Sequence, residues 1–549
     1  MRFEDKLKEG RRQELWEEYC GFLDLSMEEY MGIQRRLMAE QIHLWSKSPL
    51  GQKLLKGRMP SDIEEFRRMM PLTSYEDYAD TLLQKQSDML PAEPVIWIQT
   101  TWEGGRHPIK VAPYTKGMLD IFKNNVIACI MLSTSGQKGK FDVEATDKFL
   151  YGLAPLPYAT GLIPLALKDE IGLEFLPSPK EAESMSFGER NKRGFQLGMK
   201  KGIDFFFGLG SVAYFVSLSI SELDRDKGSG SGGKLHLLMH CSPGRLMKLI
   251  AAKRRCKEEG RRLKPKDLFQ LKGFMVAGTD NECYKDELED LWGIRPMEMF
   301  AGTEPSVIAT ETWTRSGMYF FPDTCFYEFI PEEELRRCEA DPSCQPNTCL
   351  MDEVEEGKLY ELAITVLKGG AFARYRVGDL YRCVGIGNKE EGTRLPRFRY
   401  VDRVWDVIDI AGFTRITENS IQNVVNLSGL PIHSWTARKE LTENKKPFLH
   451  MYVELERESL VSSAVSVEIL KEHLGVYFKY VDHDYKDLKR ILGMDPLQIT
   501  ILRCGTFDAY RRRFGSVPAH LNPPSVEIRE LLKVQVQDYE WNRREMRSE

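Results

Sequence analysis

In the first 60 residues the apolar positions recur at helical spacing: Leu15, Trp16, Tyr19, Phe22 and Leu23, then Ile33, Leu37 and Ile42. This predicts a helical segment over 1–60 packed on a larger domain. Pro60 and Ser61 predict the start of a short helix capped by Ser61, and Pro71-Leu-Thr-Ser repeats that signal with Ser74 or Thr73 as cap. From about residue 90 onward the pattern changes. Short apolar runs, Val95–Gln99, Phe274–Gly278 and Leu359–Val366, alternate with helical stretches such as Asn281–Trp292. Strand–helix alternation of this kind favours an α/β fold. The longest apolar stretch, Phe205–Ile220, is interrupted by Gly and Ser and reads as buried core, not a membrane span. Past residue 401 the pattern changes again. Val407–Ile410 alternates, Gly412 follows, Thr417 stands where a helix should be capped, and His450–Leu455 reads as a strand. The expected organisation is a helical segment 1–60, a large domain 61–401 and a smaller, mobile C-terminal α/β domain 402–549, with the ligand cleft between the two domains.

Composition narrows the class. With 549 residues the chain is too long for one ordinary domain. Its 42% hydrophobic content is enough for a substantial core. A net charge of −5 argues against nucleic-acid binding. The N-terminus lacks the apolar region of a secretory signal, so a cytoplasmic location is expected. Eleven cysteines in so long a chain suit a reducing compartment. Cys325, Cys338, Cys344 and Cys349 fit no zinc spacing and have no neighbouring His, so they are expected to be loop or core cysteines. Gly228–Gly233 has no Lys-Ser/Thr at the phosphate-loop spacing and reads as a flexible tip.

Three segments carry candidate chemistry: M-E-M-F-A-G-T-E-P at 297–305, A-R-Y-R-V-G-D-L at 373–380, and F-R-Y-V-D-R through I-T-E at 398–418. Gly302 permits a tight turn after a strand. The Thr303 hydroxyl could donate to a phosphate oxygen, and the Glu304 carboxylate is a hard ligand for Mg²⁺. The Asp379 carboxylate could accept from two vicinal hydroxyls, as on a ribose.

In this order and at these distances the three segments resemble the core of adenylate-forming enzymes. Pro71–Tyr78, Gly278-Thr-Asp with Tyr284 and Leu291-Trp-Gly293, and Asp352–Leu362 narrow the likeness to the auxin-responsive acyl-acid amido synthetases of plants and their microbial relatives. The likeness spans roughly residues 60–530 and includes the microbial-looking Phe205–Val212. It implies a ligase that uses ATP and Mg²⁺ to activate a carboxylic acid as acyl-AMP, then transfers the acyl group to an amine, such as an amino acid, or to a thiol. It implies that Glu304 holds the metal, that Thr303 touches the α-phosphate, and that Arg403 helps to place the nucleotide just before an interdomain hinge. The acid pocket is expected to draw on Tyr158 and Gly161 in the segment 151–161 and on Gly208 and Ser211 in the segment 207–211.

Two segments depart from the pattern. The family's phosphate loop is rich in small polar residues, whereas this chain has Gln99–Lys110. There Gly104, Gly105 and Lys110 are retained for phosphate binding, and Trp102 and Glu103 replace small residues. An anionic Glu103 beside a triphosphate is repulsive unless Arg106, Lys110 or Mg²⁺ offsets it. Near the C-terminus Asn522 occupies the catalytic lysine position, with Arg511–Arg513 close in sequence. These departures leave a second possibility open, a degenerate relative that binds a nucleotide or acyl-adenylate as a sensor or partner subunit without efficient catalysis.

Overall fold

The computed structural model describes residues 1–100, 109–151, 153–221, 242–338, 344–404, 407–412, 414–456, 466–481 and 485–545. The chain divides between Asp402 and Arg403 into a large and a small unit.

The large unit starts with helices, among them Arg12–Cys20 and Met27–Lys47, the second opened by a capping box between Ser26 and Glu29. A hairpin follows, β1 (Ile96–Gln99) and β2 (Val111–Tyr114). The main sheet then takes β3 (Lys148–Tyr151), β4 (Glu174–Leu176), β5 (Phe205–Leu209), β6 (Gly273–Ala277), β7 (Met297–Gly302), β8 (Ser306–Thr310) and β9 (Tyr319–Phe320), in the order 4-3-5-6-7-8-9. Strands β3 to β7 run parallel, while β8 and β9 add antiparallel edges. Successive strand residues point to opposite faces. Phe149, Phe205, Met275 and Met297 therefore enter one core with helix Lys116–Thr134. Leu150, Phe206, Phe274 and Val276 enter the other, against helices Phe187–Lys201, Pro243–Glu258 and Lys285–Trp292. Phe149 stacks on Phe205 in the first core and Phe206 on Phe274 in the second.

A second sheet follows, β10 (Cys325–Pro331), β11 (Leu359–Val366), β12 (Tyr375–Asn388) and β13 (Thr393–Arg403), paired in chain order. Its exposed edge would be a pairing hazard. The buried Gln34 of helix Met27–Lys47 covers it, accepting from the Tyr327 N–H (3.1 Å) and donating to the Cys325 carbonyl (2.7 Å). Gln41 accepts from the Gly369 N–H and donates to the Gly370 carbonyl in the turn between β11 and β12. The N-terminal helices are thereby built into the large unit.

The small unit holds a hairpin, β14 (Val407–Ile410) with β15 (Thr414–Thr417), and a mixed sheet of β16 (Ile432–Leu441), β17 (Pro447–Leu455) and β18 (Leu497–Leu502). Thr417 caps helix Glu418–Ser428, accepting from the Ser420 N–H.

Several local expectations change. Asp62, not Ser61, caps helix Ile63–Met69, since its side chain accepts from the Glu65 N–H at 2.7 Å while Ser61 bonds the Glu65 carboxylate. Of the pair at 73–74, Ser74 flanks the turn, while the Thr73 hydroxyl donates to the Ala373 carbonyl. Cys338 and Cys344 form a disulfide at the end of helix Glu332–Cys338. No cluster of metal-ligating side chains occurs among the described residues. Among them, too, no helix is long and apolar enough to cross a membrane. Gly228–Gly233 lies outside the described residues.

Candidate active site

The five parallel strands present their carboxyl ends on one edge, and the chain leaves β3 for opposite sides through β4 and β5. In open α/β sheets the crevice at such a switch point is where ligands bind. Three of the predicted segments lie along this edge.

At the end of β7, Gly302 pairs with Ser306, so Thr303, Glu304 and Pro305 form the tip of a tight hairpin. A Cβ on Gly302 would come within 2.9 Å of the Pro305 ring, which explains the glycine. Ser306 completes the turn at φ 68°, a left-handed position where glycine is usual. The hairpin is pinned by the buried Tyr114, whose hydroxyl donates to the Thr303 carbonyl at 2.9 Å. The Thr303 hydroxyl has no hydrogen-bond partner among the described residues. The buried Glu304 carboxylate accepts from Tyr375 Oη at 2.6 Å and from Lys110 Nζ at 3.3 Å, and Lys110 also donates to Tyr375 Oη at 3.1 Å. The ammonium stands over the rings of Tyr75 and Tyr375, 5.5 and 5.9 Å from their centroids. Lys110 is itself fixed by Thr100, whose N–H donates to the Lys110 carbonyl and whose hydroxyl oxygen accepts from the Lys110 N–H. A carboxylate, an ammonium and a phenol from three distant parts of the sequence thus converge.

Tyr375 opens β12, and Asp379 lies four residues further along it. The register explains how Asp379 is aimed. Glu361 pairs with Leu380 and Ala363 with Arg376, so Val377, Gly378 and Asp379 bulge opposite Leu362 alone. Gly378 takes φ 79° at that bulge, and Asp379 behind it is buried. The flanking arginines serve the scaffold. Arg376 makes a two-pronged bond to the buried Glu361 (2.8 and 2.6 Å). Arg374 grips Glu328 and also donates to the carbonyls of Arg67 and Met70. Burial pushes the Glu328 carboxyl up, but Arg374, Thr348 and Arg67 together hold it below the usual carboxylate range.

The segments predicted for the acid pocket follow β3 and β5. The Tyr151 hydroxyl donates to the carbonyls of Ala154 and Thr160, and the Gln99 N–H reaches the Pro157 carbonyl, so Tyr158 is carried beside β1. Gly161 is obligatory, since a Cβ there would meet the Leu156 nitrogen at 2.2 Å. Gly208 lies in β5, and Ser211 is fully buried in the first turn of helix Gly210–Ser221.

The structure brings together Thr303, Glu304 and Lys110 and places Asp379 on the strand that carries Tyr375. Gly104 and Gly105, with Trp102, Glu103 and Arg106, lie outside the described residues. Arg403 ends β13 at the division of the chain. Asn522 belongs to the small unit, where both ends of its amide are bonded to backbone, Oδ1 to the Lys439 N–H and Nδ2 to the Val407 carbonyl. In this arrangement the amide ties together backbone of the small unit.

Sequence reading missed Tyr375, which was hidden inside the A-R-Y-R run, and Asn281. The Asn281 amide joins three strand ends, accepting from the Gly210 N–H and donating to the Gly278 carbonyl and to Glu298. Beneath it Lys285 is buried against Glu298 (2.8 Å) and Glu311 (2.9 Å). Burial alone would lower the Lys285 ammonium, but Glu298, Glu311 and Glu282 raise it above the ordinary lysine value. A glutamate at an interior strand position, as in M-E-M, was the available signal.

Residues 318–403, which include the second sheet, match the model of the GH3 family central domain. A GH3 relative from Oryza sativa subsp. japonica, named "Probable indole-3-acetic acid-amido synthetase GH3.9", is 30% identical over 199 residues, covering 34% of this chain and 42% of that protein. The chain spans less than half the length of the curated relatives it matches. Among solved structures, the fold is similar to that of GH3.15 acyl acid amido synthetase (16% identity, TM-score 0.50, 94% of each chain covered). It is also similar to 2-hydroxyisobutyryl-CoA ligase in complex with 2-HIB-AMP and CoA (16% identity, TM-score 0.53, 87% of each chain covered). The chain thus shares its α/β fold with these two structures.

Proposed function

We propose that this chain is an ATP-dependent ligase that activates a carboxylic acid as acyl-AMP and transfers the acyl group to an amine, such as that of an amino acid, or to a thiol. The observation that carries this reading is the convergence of Glu304, Lys110 and Tyr375 at a hairpin tip beside the unpartnered Thr303 hydroxyl. In the first step a carboxylate oxygen of the acid attacks the α-phosphorus and pyrophosphate leaves. In the second the acceptor attacks the acyl carbon and AMP leaves. Lys110 supplies positive charge to the departing phosphates, and Thr303 donates to the α-phosphate. Asp379, aimed by its bulge, accepts from the ribose hydroxyls, with Arg403 assisting in placing the nucleotide. Tyr375 fixes the Glu304 carboxylate. One buried carboxylate beside phosphate oxygens is the donor set that suits Mg²⁺, so Glu304 would hold it; bound there, the ion neutralises phosphate charge. The names of the relatives, amido synthetases among them, favour an amine over a thiol acceptor.

The test is ATP–pyrophosphate exchange across a panel of carboxylic acids. At least one acid should support exchange. Glu304→Gln and Asp379→Ala should each lower it by about 10²-fold or more, and Tyr375→Phe by about tenfold. Absence of exchange with every acid, together with no thermal shift by Mg-ATP, would overturn the reading. A nucleotide shift without exchange would identify a binding relative instead of a ligase.

A further inference from the structure

Two arginines are buried among the described residues, Arg374 and Arg190. Arg374 is fully compensated by Glu328 and two carbonyls. Arg190 is not. It is 8% exposed, its side chain's one hydrogen bond among the described residues goes to the Met185 carbonyl, and its Nε is buried without an acceptor there. No carboxylate among the described residues pairs with it. The adjacent Glu189 is turned away, accepting from the N–H and hydroxyl of Ser186 at 2.8 and 2.7 Å. Burial holds the guanidinium below its ordinary range, and the groups that act on its charge are the phenols of Tyr151 and Tyr158.

Topology says where this cation stands. Helix Phe187–Lys201 crosses from β4 back to β5, and both strands are parallel to β3. Its first turn therefore lies at the carboxyl edge of the sheet, at the switch point. Gly194 lets it close on the sheet, since a Cβ there would come within 2.9 Å of Leu150 and of the Leu176 carbonyl. Arg190, one turn earlier, is thereby carried to the level of Tyr151 and the segment that follows. The first turn of a helix is its positive end, which adds to the deficit. An uncompensated buried ion is a liability unless something of opposite charge completes it, and a guanidinium fork matches a carboxylate with two parallel hydrogen bonds.

We propose that Arg190 is the anchor for a ligand carboxylate at the acid-binding end of the crevice, with Tyr151 and Tyr158 beside it. This deepens the ligase reading and rests on it for the identity of the ligand as a substrate. The shared chemistry is a carboxylate. It could be that of a monocarboxylic acid, the second carboxylate of a dicarboxylic acid, or that of an amino-acid acceptor.

The experiment measures thermal stability and binding of the full chain with benzoate, adipate or glutamate, at constant ionic strength against a chloride control. Wild type, Arg190→Met and Arg190→Lys are compared. At least one carboxylate should stabilise the wild type at millimolar concentration where chloride does not, and which one does so identifies the source. Arg190→Met should weaken that binding by about tenfold or more, while melting at or above the wild-type temperature without ligand and keeping its Mg-ATP shift. Arg190→Lys, which keeps the charge and loses the fork, should fall between. The proposal is overturned if none of the three carboxylates binds, if Arg190→Met binds as well as wild type, or if Arg190→Met melts far below it, which would make Arg190 a scaffold residue. Carboxylate binding that depends on Arg190, without pyrophosphate exchange, would leave this site standing and remove the ligase reading.

Discussion

Asn522 shows how much one side chain depends on what surrounds it. Its backbone takes φ 45°, its N–H donates to the Ala437 carbonyl, and its amide bridges the Lys439 N–H and the Val407 carbonyl. It therefore ties the 519–523 segment to β14 and β16. Asn tolerates the left-handed conformation better than most residues and offers both a donor and an acceptor. A lysine has no acceptor and would be strained there. Asn522→Lys is thus expected to destabilise the protein by about 2 kcal/mol, from two lost hydrogen bonds and an unfavourable φ, without raising pyrophosphate exchange. Denaturant unfolding beside an exchange assay checks this; unchanged stability with faster exchange would support the lysine-position reading. Arg511–Arg513, the other basic group flagged by the sequence, are exposed on helix Thr506–Phe514.

On the scale of one element, β12 combines scaffold and site. Arg374 and Arg376 pin it to β10 and β11, Tyr375 reaches Glu304, and the Gly378 bulge presents Asp379. Its anchor is the fully buried Glu328, which accepts from Arg374 and Arg67 and from the Thr348 hydroxyl. Glu328→Gln should destabilise the large unit by about 3–5 kcal/mol, since it leaves the Arg374 guanidinium without its counter-charge and leaves Arg67 only Glu64. The pH dependence has a definite sign. The folded Glu328 carboxyl lies below its ordinary value of 4.5, so its stabilisation is fully present above that value and is lost as pH falls through the lowered one. Wild type should lose stability over this acid window, and Glu328→Gln should lose less there. Parallel slopes in urea melts of the two proteins from neutral pH to about pH 3 would contradict the assignment.

At the scale of the whole molecule, the two units have separate cores. The large one is built around two sheets and the N-terminal helices, the small one around β14–β18 with helices Glu418–Ser428 and Val467–Val481. Separate cores unfold separately unless strongly coupled. Calorimetry should resolve two transitions, and limited proteolysis should cut first within residues 402–412; one sharp transition and cleavage elsewhere would argue for a single cooperative body. The sequence by itself determined the alternation of strands and helices, the change of character near residue 401, and the turn chemistry of Gly302 and Gly412. These depend on local periodicity and on backbone conformations that few residues accept. It also exposed the G-T-E and G-D groups, because short polar motifs beside glycine are visible without a partner. Only the tertiary structure decided the partners. Glu304 meets Lys110 and Tyr375 across 194 and 71 residues, Cys338 bonds Cys344, Asn522 is spent on backbone, and Arg190 is buried with no counter-charge. Whether a charged or amide side chain is a scaffold bond or an open site depends on which distant groups desolvate and pair with it, and no spacing along the chain encodes that.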